Sequence, residues 1–203
     1  PGKDQKHHER LDQCLFCEQG KQFLNAVTEC TVCDEGKYQE QNNAANADCK
    51  FCEKGKQFVN RNSQCSSCSA GTYQNTNSEA SVVCKFCAAG KQFIDKGTMC
   101  QSCISGKYQA QNEVPSATCS VCSAGKYQSE NDGTPVDCVS CDPGRFLVDT
   151  ATASTEHDSS DKCLFCQAGT KFNTISTACS ICSAGKYQSE NNATSMDCVS
   201  CAP

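Results

Sequence analysis

The sequence has no tryptophan, two methionines and five prolines, and aromatic residues fill 7% of its 203 positions. No apolar run approaches the ~18 residues that span a bilayer, so no direct membrane insertion is expected. Mean hydropathy is −0.55. The apolar fraction of 37% counts 22 cysteines; without them it falls to about a quarter. A conventional core for one domain of this length needs more, which excludes an ordinary cytosolic enzyme fold. Positive charge is short as well. A net charge of −5 and a pI near 5.2 argue against nucleic acid or an anionic membrane as partner. Nothing offers a nucleophile with a base, paired catalytic carboxylates or a phosphate loop, so neither catalysis nor a cofactor is expected. No window carries the 3.6-residue apolar period of a helix. The chain opens on Pro1 without Met or signal peptide, and is expected to be a processed chain or a piece of a longer one.

What the sequence does have is cysteine in a strict register. Every cysteine lies in a C-x-x-C pair, at 14/17, 30/33, 49/52, 65/68, 84/87, 100/103, 119/122, 138/141, 163/166, 179/182 and 198/201. Between successive pairs lie 12, 15, 12, 15, 12, 15, 15, 21, 12 and 15 residues. A glycine falls three residues after the second cysteine of ten pairs, from Gly20 to Gly185, and an aromatic follows two or three residues later. The remaining four aromatics, Phe16, Phe51, Phe86 and Phe165, lie inside C-x-F-C pairs, so all 14 obey the repeat. Short modules read C-x-x-G-K-Q-F or close to it, and most long ones read C-x-x-G-[KT]-Y-Q. One of each makes a 35-residue unit. A register this regular marks a repeat protein.

A second tier of similarity is present. Residues 119–141 reappear at 179–201 with five differences in 23 positions. The run from Pro1-Gly2-Lys3 to Cys14 mirrors that from Pro143-Gly144-Arg145 to Cys163, and Cys201-Ala202-Pro203 mirrors Cys141-Asp142-Pro143. The chain is therefore expected to be one period of a tandem array, or a subunit continuing head to tail. Its segments are a partial module at 1–13 continuing from a preceding copy, three short-plus-long pairs at 14–118, a long module plus a module with a 21-residue loop at 119–162, and a short-plus-long pair at 163–203 ending in an open half-module.

Paired cysteines fit disulfides or zinc ribbons. Eleven pairs do not divide into four-cysteine sites, the spacing has no breaks, and no basic or amphipathic working surface accompanies it. Haem attachment needs a histidine after the pair, and a thioredoxin-type pair needs a βαβ context; both are missing. Disulfides, and hence an oxidising compartment, are expected. The simplest local scheme joins the second cysteine of each pair to the first of the next: Cys17–Cys30, Cys33–Cys49, Cys52–Cys65, Cys68–Cys84, Cys87–Cys100, Cys103–Cys119, Cys122–Cys138, Cys141–Cys163, Cys166–Cys179 and Cys182–Cys198. A crossed scheme, first to third and second to fourth, is the alternative. The local scheme leaves Cys14 and Cys201, which joined across copies make one more module. Asn, Ser, Thr, Gln, Asp and Glu between the cysteines favour turns and short strands. The expected fold is a series of small disulfide-rich repeats: an elongated rod of tandem loop or short β-hairpin modules with negligible helix and no conventional hydrophobic core. The motif glycine is expected at positive φ, with the aromatic beside it packed on a neighbouring disulfide.

The pattern in Cys68-Ser-Ala-Gly-Thr-Tyr-Gln and Cys122-Ser-Ala-Gly-Lys-Tyr-Gln, followed by C-x-x-C, resembles the ephrin-receptor-like cysteine-rich repeat and the first loop module of tumour necrosis factor receptor domains. The resemblance covers nearly the whole chain. It implies disulfide-bonded cysteines, an extracellular location and the local pairing, and it does not imply one function. C-x-x-C-rich protist surface antigens are a looser match. The chain departs from receptor domains in lacking their mixed module types.

Asn192-Ala193-Thr194 is the only N-glycosylation sequon, and glycans are expected there; the loop from Thr150 to Thr155 suits O-glycans or plain solvation. His8 and His157 each precede a cysteine by six residues and read as solvated charged loop, as the repeated Gly-Lys lysines read as a solubilising surface. No metal site is expected. The functional expectation is a structural subunit or repeat segment of an extracellular fibre or cell-surface appendage, with copies of itself as partners head to tail. The alternative is a receptor-like or adhesive extracellular binding ectodomain.

Overall fold

A computed structural model describes the backbone of residues 3–4 and residues 15–130, 135–148, 153–191 and 197–202. Among these the chain is a tandem series of small antiparallel hairpins, nine of them two-stranded with two residues per strand. Among the described residues the only helical pieces are two single turns of 3₁₀ helix, Ser154–Glu156 and Ser160–Lys162, both inside the longest loop.

The repeat explains each hairpin. Successive side chains of an extended chain point to opposite sides, so the two cysteines of a C-x-x-C pair, three apart, face opposite ways. The first reaches back to the preceding loop and the second forward into the next. Ten disulfides follow this rule, each from the second cysteine of one pair to the first of the next, from Cys17–Cys30 to Cys182–Cys198. The dipeptide between the two cysteines is the strand. Its partner is the pair of residues after the preceding motif glycine: Lys21–Gln22 pairs with Thr31–Val32, and Lys126–Tyr127 with Val139–Ser140. Lys3–Asp4 pairs with Leu15–Phe16 in the same way. In two long modules the pairing shrinks to a single bridge, Tyr38 to Lys50 and Tyr73 to Lys85.

The glycine is dictated by the turn that feeds the strand. The N–H of the residue after it bonds back three positions, as in Lys126 to the Ser123 carbonyl at 3.1 Å. That turn places glycine third, where φ must be positive. All ten motif glycines have φ between 76° and 82°.

By contact the chain divides into two units. One comprises 1–87, 93–100 and 113–116; the other comprises 88–92, 101–112 and 117–203. Five disulfides lie within each. In both units the buried apolar material is mostly half-cystine. In the first, Tyr38 and Val82 pack on Cys52 and Cys65 with Phe58 alongside. In the second, Leu147 packs on the Cys141–Cys163 bridge with Tyr127. The aromatic of one module thus covers the disulfide of the next.

Tyr38 is the most enclosed of these rings, at 6% exposure, and burial raises its phenol above the ordinary tyrosine range. Tyr38→Ala is expected to cost about 3 kcal/mol, in the range of aromatic truncations in cores. Because the folded state favours the neutral phenol, its contribution holds below the ordinary tyrosine pKa and is lost as pH rises through the raised folded value. Thermal melts from neutral to alkaline pH check this: Tyr38→Phe should flatten the alkaline loss, and an unchanged slope would remove Tyr38 as its source.

Candidate functional site

A tandem protein works through the contact that one module makes with the next, and here that contact is a repeated set of backbone hydrogen bonds. The motif-glycine N–H of one module donates to the carbonyl three residues past the glycine of the next. Examples are Gly20 to Gln39 and Gly55 to Gln74, both at 2.8 Å, in the first unit, and Gly106 to Gln128 at 2.7 Å and Gly125 to Leu147 at 2.9 Å in the second. The residue whose carbonyl accepts then sends its own N–H forward. Gln39 donates to Arg61 at 2.9 Å, Gln74 to Lys96 at 2.8 Å, Gln128 to His157 at 2.8 Å and Leu147 to Ile175 at 2.9 Å. Gln39, Gln74, Gln109, Gln128 and Leu147 therefore each accept from the module before and donate to the module after. An asparagine six residues past the glycine of the next long module adds a third tie. Asn42 Oδ1 accepts the Gln19 N–H at 3.0 Å, Asn112 Oδ1 the Ala89 N–H at 2.8 Å and Asn191 Oδ1 the Ala168 N–H at 2.7 Å.

Contact also reaches two modules ahead. A Cβ built on Gly36 would lie 2.6 Å from Ser81 Oγ, one on Gly71 2.6 Å from the Pro115 carbonyl carbon, and one on Gly125 2.8 Å from Ile175 Cγ1. Real Cβ atoms do not approach so closely, so glycine serves twice: the turn needs its φ and the second neighbour needs its bare α-carbon. In long modules the approaching residue, ten past its own glycine, is itself left-handed: Ser81 at φ 55° and Ser116 at φ 54°. That conformation points its N–H at the glycine carbonyl two modules back, at 3.4 Å to Gly36 and 3.3 Å to Gly71.

The glutamine of the Tyr-Gln step was visible as a repeated letter, but its place was not. Gln39, Gln74, Gln109, Gln128 and Gln188 are all buried. The side chain folds onto its own loop two residues on: Gln109 Nε2 donates to the Gln111 carbonyl at 2.8 Å, and Gln188 Nε2 to Glu190 at 2.7 Å. Tyrosine at the preceding position faces the other side of the strand, which leaves this inward position to a polar side chain that ties off the loop. A polar residue at the same offset in every long module was the available signal.

The histidine expectation is corrected. His157 is not solvated but fully buried, at 0% exposure. Its Nδ1 lies 2.7 Å from the Lys126 carbonyl and its own carbonyl accepts the Gln128 N–H. The 21-residue loop is too long to follow the spacing of the others, and His157 pins it to the preceding module with side chain and backbone together. His8 lies outside the described residues, as do Cys14 and Asn192. Cys201 is an exposed free thiol.

Several motif lysines are more than a solubilising surface. Lys21, Lys37 and Lys56 pair with Glu18, Asp34 and Glu53 at 2.9, 2.9 and 2.7 Å across the glycine turn. Lys37 also lies 5.0 Å from the centre of the Phe51 ring, and Arg145 4.1 Å from Phe165. Lys56 lowers the Glu53 carboxyl below its ordinary value through their hydrogen bond, and the same bond raises Lys56. The pair therefore contributes between the carboxylate and lysine ranges and fades on either side, and its exposure keeps that contribution small.

Among the described residues no three His, Cys, Asp or Glu side chains are grouped to hold a metal. A surface cleft in the 68–84 module, lined by Tyr73, Gln74, Thr76, Glu79 and Lys85 among others, measures about 180 Å³, below the size of ordinary small-molecule pockets. No family model matches the chain, and no curated protein matches it.

Proposed function

We propose that this chain is a structural segment of an extracellular fibre or cell-surface appendage, joined head to tail to copies of itself and glycosylated at Asn192. The observation that carries the reading is the repeated junction. At Gly20, Gly55, Gly90, Gly106, Gly125 and Gly169 the glycine N–H meets the carbonyl three residues past the glycine of the following module, so one contact recurs along the chain. Ten disulfides require an oxidising environment, and no described helix is long and apolar enough to cross a membrane. In this reading the mechanism is mechanical: covalently closed loops resist unfolding and proteolysis, and a contact that does not close on itself propagates in one direction. Cys201 and Cys14 of successive copies complete one further module.

The test is the mass of native, deglycosylated material with and without reductant. A mass far above 21.8 kDa that survives reduction identifies a long tandem polypeptide, and collapse to the single-chain mass identifies copies joined through Cys14 and Cys201. A single-chain mass under both conditions would overturn the covalent array and favour a receptor-like module.

A further inference from the structure

In a repeat, side chains that recur in every module serve the common architecture, and a set present in one module alone is not needed for it. Module 68–84 carries such a set. Five residues past the motif glycine the other long modules have Gln41, Gln111, Glu130 and Glu190, and this one has Thr76. Eight past it the others have Ala44, Val114, Gly133 and Ala193, and this one has Glu79. Both line the cleft of about 180 Å³ inside the loop that Cys68–Cys84 closes.

Gln74 is the buried polar wall of that cleft, at 5% exposure. In the modules of Gln39 and Gln128 the glutamine Oε1 accepts the N–H two residues on. Here the amide is used the other way round: Nε2 donates to Thr76 Oγ1 at 2.9 Å, and Oε1 is buried with no hydrogen-bond partner. Gln109 and Gln188 also leave Oε1 open, but their Nε2 bonds their own backbone and no threonine stands beside them. The Thr76 hydroxyl accepts that bond and keeps its hydrogen for a ligand. Glu79 and Lys85 flank the cleft with opposite charges, and neither is in an ion pair among the described residues. Tyr73 and Val83 add apolar surface beside them.

Neighbouring modules hold this loop from outside. The Ser81 N–H reaches the Gly36 carbonyl at 3.4 Å, the Phe58 N–H bonds the Val82 carbonyl at 2.8 Å, and the Gln74 N–H bonds the Lys96 carbonyl at 2.8 Å. Gln57 Oε1 accepts the Cys84 N–H at 3.3 Å. Both walls are therefore set before a ligand arrives, which lowers the ordering cost of binding.

We propose that this cleft binds one neutral sugar ring, such as the terminal hexose of a glycan. Opposite charges on its two sides favour neither an anion nor a cation. A carboxylate, an ammonium, an amide and a hydroxyl around one space call for a ligand that donates and accepts at several points. Tyr73 and Val83 call for carbon atoms between those points. A hexose supplies both. At about 180 Å³ the cleft excludes drug-sized ligands, which fill about 300 Å³ or more, and leaves room for a single ring. This adds a binding activity to the structural reading and does not depend on it.

The test is an NMR titration of the full, isotopically labelled chain with glucose, galactose, mannose and N-acetylglucosamine, and with glycine as a small zwitterion. At least one sugar should saturably shift the Gln74 side-chain amide and the backbone amides of 73–76 and 79–83, with a Kd in about the millimolar range. Thr76→Gln introduces the side chain that Gln41 and Gln111 place at this offset, so the module keeps its fold. It should weaken binding more than about ten-fold, and so should Glu79→Ala, which matches Ala44. Amide shifts unchanged outside module 68–84 check that each variant is folded. Sugar binding that survives both substitutions would put the ligand elsewhere and overturn the proposal. Glycine binding as tightly as any sugar would overturn the ligand class. No saturable shift with any sugar, at concentrations well above that Kd, would overturn the site itself.

Discussion

Reduction of the disulfides under otherwise native conditions is expected to unfold the chain throughout, while a chelator leaves it unchanged. Each bridge spans 13 to 22 positions and is worth about 3 kcal/mol in the chain-entropy model. Ten together amount to roughly 30 kcal/mol, several times the 5–15 kcal/mol by which domains are ordinarily stable. No remaining core takes over, because the buried apolar residues are mostly the half-cystines themselves, with Tyr38, Val82 and Leu147 packed directly on them. Two-residue strands do not hold without a covalent closure, since an isolated hairpin is marginal in water. The measurement is hydrogen exchange and protease susceptibility of alkylated, reduced chain against native chain. Amides at Gly20, Gly55 and Gly125 should lose all protection; retained protection there would show that the module contacts stand without the bridges. Loss of structure on chelation would return the cysteines to metal.

Gly71→Ala is expected to be among the most damaging single substitutions, and Gly169→Ala among the mildest at a motif glycine. Both sit at positive φ, 76° and 82°, so both incur the left-handed penalty of about 1 kcal/mol. Their surroundings differ. At Gly71 the new methyl meets the Pro115–Ser116 peptide, with backbone atoms at 2.6 Å that have no side-chain freedom to yield. Displacing that peptide adds about 1–3 kcal/mol and breaks the Ser116 N–H bond to Gly71. At Gly169 nothing lies within 4 Å. The difference between the two substitutions therefore measures the contact to the second neighbour, with the conformational penalty cancelled. Because repeat stability is close to a sum of local terms, the readout should be local. Hydrogen exchange should rise in modules 68–84 and 103–119 for Gly71→Ala and little anywhere for Gly169→Ala. Equal effects would mean that φ alone makes these glycines necessary.

Much of the architecture was legible because it depends on offsets within one module. An odd spacing inside C-x-x-C turns the two cysteines to opposite sides, a glycine three residues later marks the turn, and an aromatic next to it marks the ring on the following disulfide. Tyr38 on Cys52–Cys65 and Tyr127 on Cys141–Cys163 are of this kind. His157 was not legible. In the sequence it is one charged-loop residue among Glu156, Asp158 and Asp161, and only the fold of the 21-residue loop carries it to the Lys126 carbonyl. The buried glutamines stood in between: their repetition was plain, but a polar letter in a repeat does not reveal that its side chain turns inward.

The hairpins and the positive-φ turns are local consequences of chain stereochemistry that residue spacing pointed to, whereas spacing left a crossed order of bridges open and the structure decided the local one. Which residues meet across modules depended on the three-dimensional path. The forward bonds from Gln39 to Arg61 and from Leu147 to Ile175 span 22 and 28 positions. The identical nonapeptides at 122–130 and 182–190 show the division plainly. They share every local property, including φ of 79° at both glycines, and they differ in burial because burial belongs to the neighbours that fold onto a segment and not to the segment itself.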